Sequence, residues 1–233
     1  MNSTCKLFLG LMAWSLLNIV AEARDGQCDG LPVERQSPID IKTSTTKCSE
    51  MGSIYVPETT CNDVRLVNHA GHTAQLELDE CDYTIESGPF VGQYSILQAH
   101  FHWGEDSTKG SEHTVDGYRY PMEISNTDNP AWNDIITGLG EITMPDEETT
   151  LDYINLQDLL PSDMSEFYSY FGSLTTPPYS QIINWTVFKN TIKISEYQIA
   201  QFRNLLNGDE WSIVDNFRPV QLLNGRTVYS NCW

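Results

Sequence analysis

The sequence predicts a mainly β, α+β fold in a single domain, and three observations carry that reading. Short alternating or apolar runs bounded by turn residues recur along most of the chain. Strong helical periodicity with its start and stop signals is confined to one place, after Ser195. No Pro/Ser/Gly-rich linker and no internal repeat divides the 233 residues.

The elements follow in chain order. Lys6, an apolar stretch over 7–20 and the small-x-small pattern Ala21-Glu22-Ala23 read as a secretory leader cleaved after Ala23. A spanning helix is the weaker reading, because the stretch is short and no stop-transfer charges follow. The expected division is therefore a leader over 1–23 and a secreted, extracellular domain over 24–233 without a membrane anchor. Strands are expected over 64–67, 74–78, 96–103, 182–188 and 227–229. A weaker helix is expected over 132–139. The second helix opens at Ser195, whose hydroxyl can cap while Gln198 completes a capping box. Ile199, Phe202, Leu205 and Leu206 then share a face before Gly208 stops it. Leu159-Leu160-Pro161 and Pro177-Pro178 mark loops, since proline cannot donate to a sheet ladder.

Charge and cysteine narrow the compartment and the partners. With 32 acidic against 13 basic residues the net charge is −19, which repels nucleic acid and anionic membrane surfaces. The runs Asp79-Glu80-Cys81-Asp82 and Asp146-Glu147-Glu148 are candidates for weak Ca²⁺ attraction, against the plainer reading of solvated loops. Once the leader takes Cys5 away, Cys28, Cys48, Cys61, Cys81 and Cys232 remain. An oxidising compartment lets them pair, the odd number leaves one over, and the connectivity stays open. Asn184-Trp185-Thr186 fits a glycosylation sequon but sits inside an apolar run.

The candidate chemistry lies in Gln98-Ala99-His100-Phe101-His102-Trp103-Gly104, where two imidazoles two residues apart share one strand face at metal-ligand spacing. Paired core histidines bound only to carboxylates have the same pattern. All five histidines (His69, His72, His100, His102, His113) lie in the first half, so a third imidazole ligand is hard to find.

Six segments occur in one order: Gln36-Ser37-Pro38-Ile39-Asp40-Ile41, Gly71-His72, residues 98–104, Ser111-Glu112-His113-Thr114-Val115-Asp116-Gly117, Gly172-Ser173-Leu174-Thr175-Thr176-Pro177-Pro178 and Asn216-Phe217-Arg218-Pro219. Together they make the chain resemble the α-carbonic anhydrases over nearly all of residues 24–233. The resemblance implies a large twisted, mostly antiparallel central sheet with a few short peripheral helices. It implies Zn²⁺ held by three histidines, the metal lowering the pKa of its bound water to about 7 so that a zinc-bound hydroxide attacks CO₂ to give bicarbonate. By position, His100 and His102 match two of the metal ligands, and Gln98 and Glu123 match groups that orient ligand imidazoles. Thr175 matches the hydroxyl that accepts from the zinc-bound hydroxide and donates to Glu112. Thr176 and Trp185 match pocket-lining positions, and His72 matches the proton shuttle. His113 matches a structural histidine.

The departures weigh as much as the matches. Ser125 stands where the resemblance calls for the third histidine, and the chain then passes straight to Asn126-Thr127-Asp128-Asn129-Pro130. The rest of the ligand strand and the apolar strand beyond it are missing at that one junction, as a single excision would leave them. Glu123 and Asp128 are the candidate replacement ligands. Tyr179 stands where extracellular members often carry the cysteine that pairs with the one matched by Cys28. Three readings follow: a secreted carbonic anhydrase-like protein with reduced or absent activity and weak or absent zinc, a non-catalytic acidic extracellular binding or matrix protein, and an incomplete splice product.

Overall fold

The computed structural model describes residues 8–14, 17–23, 34–90, 92–119 and 123–232. Cys28 lies outside them, as do residues 1–7 and 15–16 of the expected leader. The strands in chain order are β1 (Phe8–Trp14), β2 (Leu17–Ala23), β3 (Asp40–Ile41), β4 (Lys47–Ser49), β5 (Ile54–Tyr55), β6 (Thr60–His69), β7 (Thr73–Glu77), β8 (Thr84–Ser87) and β9 (Gln93–Phe101). They continue as β10 (Thr114–Val115), β11 (Tyr118–Arg119), β12 (Glu123–Ser125), β13 (Glu148–Asn155), β14 (Phe167–Gly172), β15 (Ile183–Thr191), β16 (Lys193–Ser195) and β17 (Tyr229–Asn231). Two short helices, α1 (Asn133–Leu139) and α2 (Glu196–Phe202), lie among them. The expected mainly β fold is what forms.

The main sheet runs β13-β6-β7-β9-β2-β1-β15-β14-β17-β4, with the β5–β8 pair attached to β9. Its neighbours are antiparallel except β1 with β15 and β17 with β4. The two small sheets are β11-β10-β3 and the parallel pair β12-β16. The expected leader thus falls on β1 and β2, between the strands that carry His100 and Trp185.

Helix α2 begins as expected: Ser195 Oγ accepts from Gln198 N, and the Gln198 side chain accepts from Ser195 N, so both orphan donors are met. It ends at Phe202, sooner than the Leu205 and Leu206 periodicity suggested. Leu206 instead bridges Ser212, and Leu205 is buried in the turn, so the apolar spacing there serves a hairpin. The other predicted helix matches α1 within a residue. Strand β9 also ends two residues before the expected limit, leaving His102 and Trp103 just beyond it.

The core has two parts. The larger gathers Leu66, Leu76, Ile96, Phe101, Trp103, Trp132, Ile199 and Phe202, and the smaller gathers Ile39, Ile41, Tyr170, Ile183, Trp185 and Val187. At the end of β14, a Cβ on Gly172 would collide with Ser37 Oγ, so only glycine lets that hydroxyl approach. The disulfides are Cys48–Cys232 and Cys61–Cys81, and among the described residues no cysteine is free. The sequon lies on β15, paired on both sides, with Thr186 fully buried. Among the described residues no helix is long and apolar enough to cross a membrane.

Candidate metal centre

His100 belongs to β9 and His102 follows its end, yet their rings remain together, with centroids 5.1 Å apart and planes at 73°. The reason is Asn216, which the sequence reading quoted but gave no role. Its side chain accepts from Trp103 N at 2.7 Å and donates to Phe101 O and His72 O, both at 3.0 Å. Its backbone carbonyl faces His102 Nδ1 at 2.7 Å. A carbonyl only accepts, so Nδ1 is the donor in that pair, and Nε2 is turned toward Glu112. One residue thereby extends the order of β9 past its last ladder bond and ties it to the loop that carries His72. A buried loop with several unmatched main-chain groups near an Asn is the signal that would have singled it out.

Glu112 is buried beside this pair. Its Oε2 stands 3.6 Å from His102 Nε2, and its Oε1 accepts from Arg218 N at 3.2 Å. Arg119 donates to the Ser111 and Glu112 carbonyls and stacks on Phe217 at 4.1 Å, lining that wall with positive charge. Burial, then the neighbouring His102 and His69, holds His100 well below its ordinary range. A neutral imidazole is the form a metal requires.

The other predicted residues divide into two groups. Gln98 is half-buried on β9, opposite Glu77, and Thr175 is buried in the loop after β14. Trp185 is buried and donates through Nε1 to Ser173 O at 2.9 Å. Thr176 and His72 are exposed, the latter in the β6–β7 turn, as groups facing solvent should be. By contrast, Glu123 and Ser125 lie on β12, which pairs with β16 rather than with β9. The position beside β9 is taken by β2. Ser125 Oγ accepts from Thr127 N at 3.1 Å, and Asp128 accepts from the Ser195 hydroxyl at the start of α2. Asp128 is thus engaged as a helix-end acceptor. Among the described residues no three His, Cys, Asp or Glu side chains gather closely enough to hold a metal ion. The expected calcium partner finds no support in them either.

His113 is the satisfied core group expected of it. Its Nε2 lies 2.6 Å from the Tyr170 hydroxyl, which itself donates to Ser37 Oγ at 2.8 Å, so the ring is the donor in that pair. Burial, then Arg226, Arg119 and His102, lowers its pKa from 6.5 to about 3. The unfolded chain therefore takes up a proton below pH 6.5 that the folded chain refuses until about 3. Stability is complete above 6.5 and falls as the pH falls toward 3. Between pH 7 and pH 5 this one residue is expected to remove about 2 kcal/mol. Guanidinium midpoints at the two pH values measure the loss, and a His113→Gln variant should show a flatter profile by that amount. Equal slopes in the two proteins would contradict it.

Two adjacent imidazoles, a buried carboxylate and a hydroxyl-bearing loop on a mostly antiparallel sheet define the class. The family model for the eukaryotic-type carbonic anhydrase matches in two stretches, residues 22–126 and 124–232, which overlap at 124–126. Carbonic anhydrase 7 of Mus musculus is 31% identical over 233 residues, covering 84% of this chain and 88% of the relative. Carbonic anhydrase 6 of Bos taurus is 33% identical over 237 residues, covering 84% and 73%. Carbonic anhydrase 4 of Oryctolagus cuniculus is 30% identical over 234 residues, covering 84% and 76%. The chain belongs to the eukaryotic-type carbonic anhydrase family.

Proposed function

We propose that this chain is a secreted carbonic anhydrase-like protein whose CO₂ hydration is reduced or absent. The observation that carries the proposal is the pairing of β12 with β16: among the described residues no third metal-ligating side chain gathers with His100 and His102. The described residues do not fit a three-donor zinc site. What this chain retains is the support: Asn216 fixes the His102 tautomer, and Glu112 is held by the Arg218 amide. Of the site residues carried over from the resemblance, His72, Glu112, Thr175, Thr176, Trp185 and Gln98 keep their assigned roles as part of this proposal, whereas Glu123, on β12 beside β16, does not.

Two disulfides favour secretion, since such bonds persist in oxidising compartments. The break between the two matched stretches, which overlap at residues 124–126, favours a single excision there. Sequencing the transcript across that junction tests it: a longer form carrying the missing strands supports the excision, and its absence counts against it.

The decisive measurement is metal content. Protein purified and dialysed against a weak chelator is expected to hold well under one zinc per chain and to show no sulfonamide-sensitive hydration. One retained zinc with that activity would overturn the proposal. Ser125→His is expected to leave zinc content unchanged, because residue 125 is registered against Ser195 and not beside His100.

A further inference from the structure

The main sheet is continuous across its middle only because residues 8–23 lie there. β2 pairs antiparallel with β9 at seven positions, from Leu17 opposite Phe101 to Ala23 opposite Tyr94. β1 pairs parallel with β15 from Phe8 opposite Ile183 to Trp14 opposite Thr191, and β1 and β2 pair with each other at five positions. The strands on either side are deeply buried: Ala99 and Phe101 on β9 and Thr186 and Phe188 on β15 are fully shielded. Without an occupant, two rows of main-chain donors and acceptors would open in the middle of the core.

We propose that residues 8–23 are a built-in filler of this seam: in the full chain they substitute for the two strands missing after Ser125, and their removal opens the sheet along the strand that bears His100. Three facts converge on this occupant. The count agrees, two strands absent and two supplied. The composition agrees over most of the length, because no charged residue occurs between Leu7 and Ala21 and Glu22 stands only near the end of β2, and a central strand calls for a mainly apolar run as a secretory leader does. The alternative occupant is also accounted for, since β12, the remnant of the family's own strand, is already paired with β16. The leader reading and the filler reading thus concern the same residues, and cleavage at Ala23 would remove the filler. The intact and processed forms differ in whether the sheet is closed.

The test uses the full chain. Ile19→Cys with Ala99→Cys places thiols at directly opposed positions and is expected to form an intramolecular disulfide on mild oxidation. Ile19→Cys with Ser95→Cys, about four residues or 13 Å off register, is expected not to. Failure of the first pair, or equal linkage in both, overturns the proposal. The unmodified full chain supplies the second readout by amide hydrogen exchange. Residues 94–101 and 184–190 should be as protected as β14, and Ile19→Pro, which deletes a ladder donor, should speed exchange of residues 94–101 about ten-fold while leaving β6 and β13 unchanged. Rapid exchange of residues 94–101 in the unmodified chain would equally overturn it. Neither readout involves zinc or activity, so the proposed function and this inference can fail separately.

Discussion

Phe202→Ala is expected to destabilise the protein by about 3–5 kcal/mol. Phe202 is fully buried at the end of α2, and its ring lies 5.2 Å from Phe101, 5.4 Å from Trp103 and 6.2 Å from Trp132. The other three are fully buried as well, so the surroundings have little slack with which to refill the space. The cost is the transfer energy of the ring plus that of the cavity, together with tilted ring contacts worth about 1 kcal/mol beyond burial. Because Phe101 and Trp103 bracket His102, the same change should loosen the imidazole pair. Phe202→Leu, which keeps most of the volume, is expected to cost less than about 2 kcal/mol. Guanidinium unfolding followed by tryptophan fluorescence measures both, and a cost below about 1 kcal/mol for the alanine variant would show that this cluster is not the central support of the site.

The second large effect concerns the disulfides, and here the order of the two is the content of the prediction. Cys48 and Cys232 are 184 residues apart in sequence, whereas Cys61 and Cys81 are 20 apart. In the chain-entropy account the longer closed loop stabilises by roughly 5 kcal/mol and the shorter by roughly 3 kcal/mol, the measured values usually falling somewhat lower. The double variant Cys48→Ser, Cys232→Ser is therefore expected to lose more than Cys61→Ser, Cys81→Ser. The long-range bond has local support that its removal would also weaken. Cys48 is the middle residue of β4, paired with Ser230, and Cys232 directly follows β17, while Asn231 accepts from Met51 N and donates to Gly52 O and Ser165 O. Denaturant midpoints of the two variants decide the matter, and the reverse order would contradict the loop-length argument.

What could be read from the sequence was local chemistry. The capping box at Ser195 and Gln198 involves groups three residues apart, so its signal survives without knowledge of the fold. The spacing of His100 and His102 likewise put both rings on one side of the chain, although the strand stops at Phe101 and a remote asparagine holds the second ring. The residues that escaped are those whose position is set by partners distant in sequence. β13 and β14 passed unnoticed, and β14 reads Phe-Tyr-Ser-Tyr-Phe-Gly with buried residues on both faces, which leaves no alternation to detect. The pairing of β12 with β16 depends on what else competes for β9, and nothing within Glu123-Ile124-Ser125 encodes it. The apolar stretch over 7–20 shows the limit most clearly, since export signals and central strands ask for the same residue types.

The long reach between Cys48 and Cys232 also sets a schedule for biogenesis. During synthesis the 61–81 link can be oxidised early, as soon as both thiols have emerged, because its whole loop is in hand. The other cannot, since residue 48 has to wait until some 180 further residues have left the ribosome. Until then β4 has no β17 to lie against. An oxidase meeting the nascent chain too soon would find Cys48 solitary and open to mispairing.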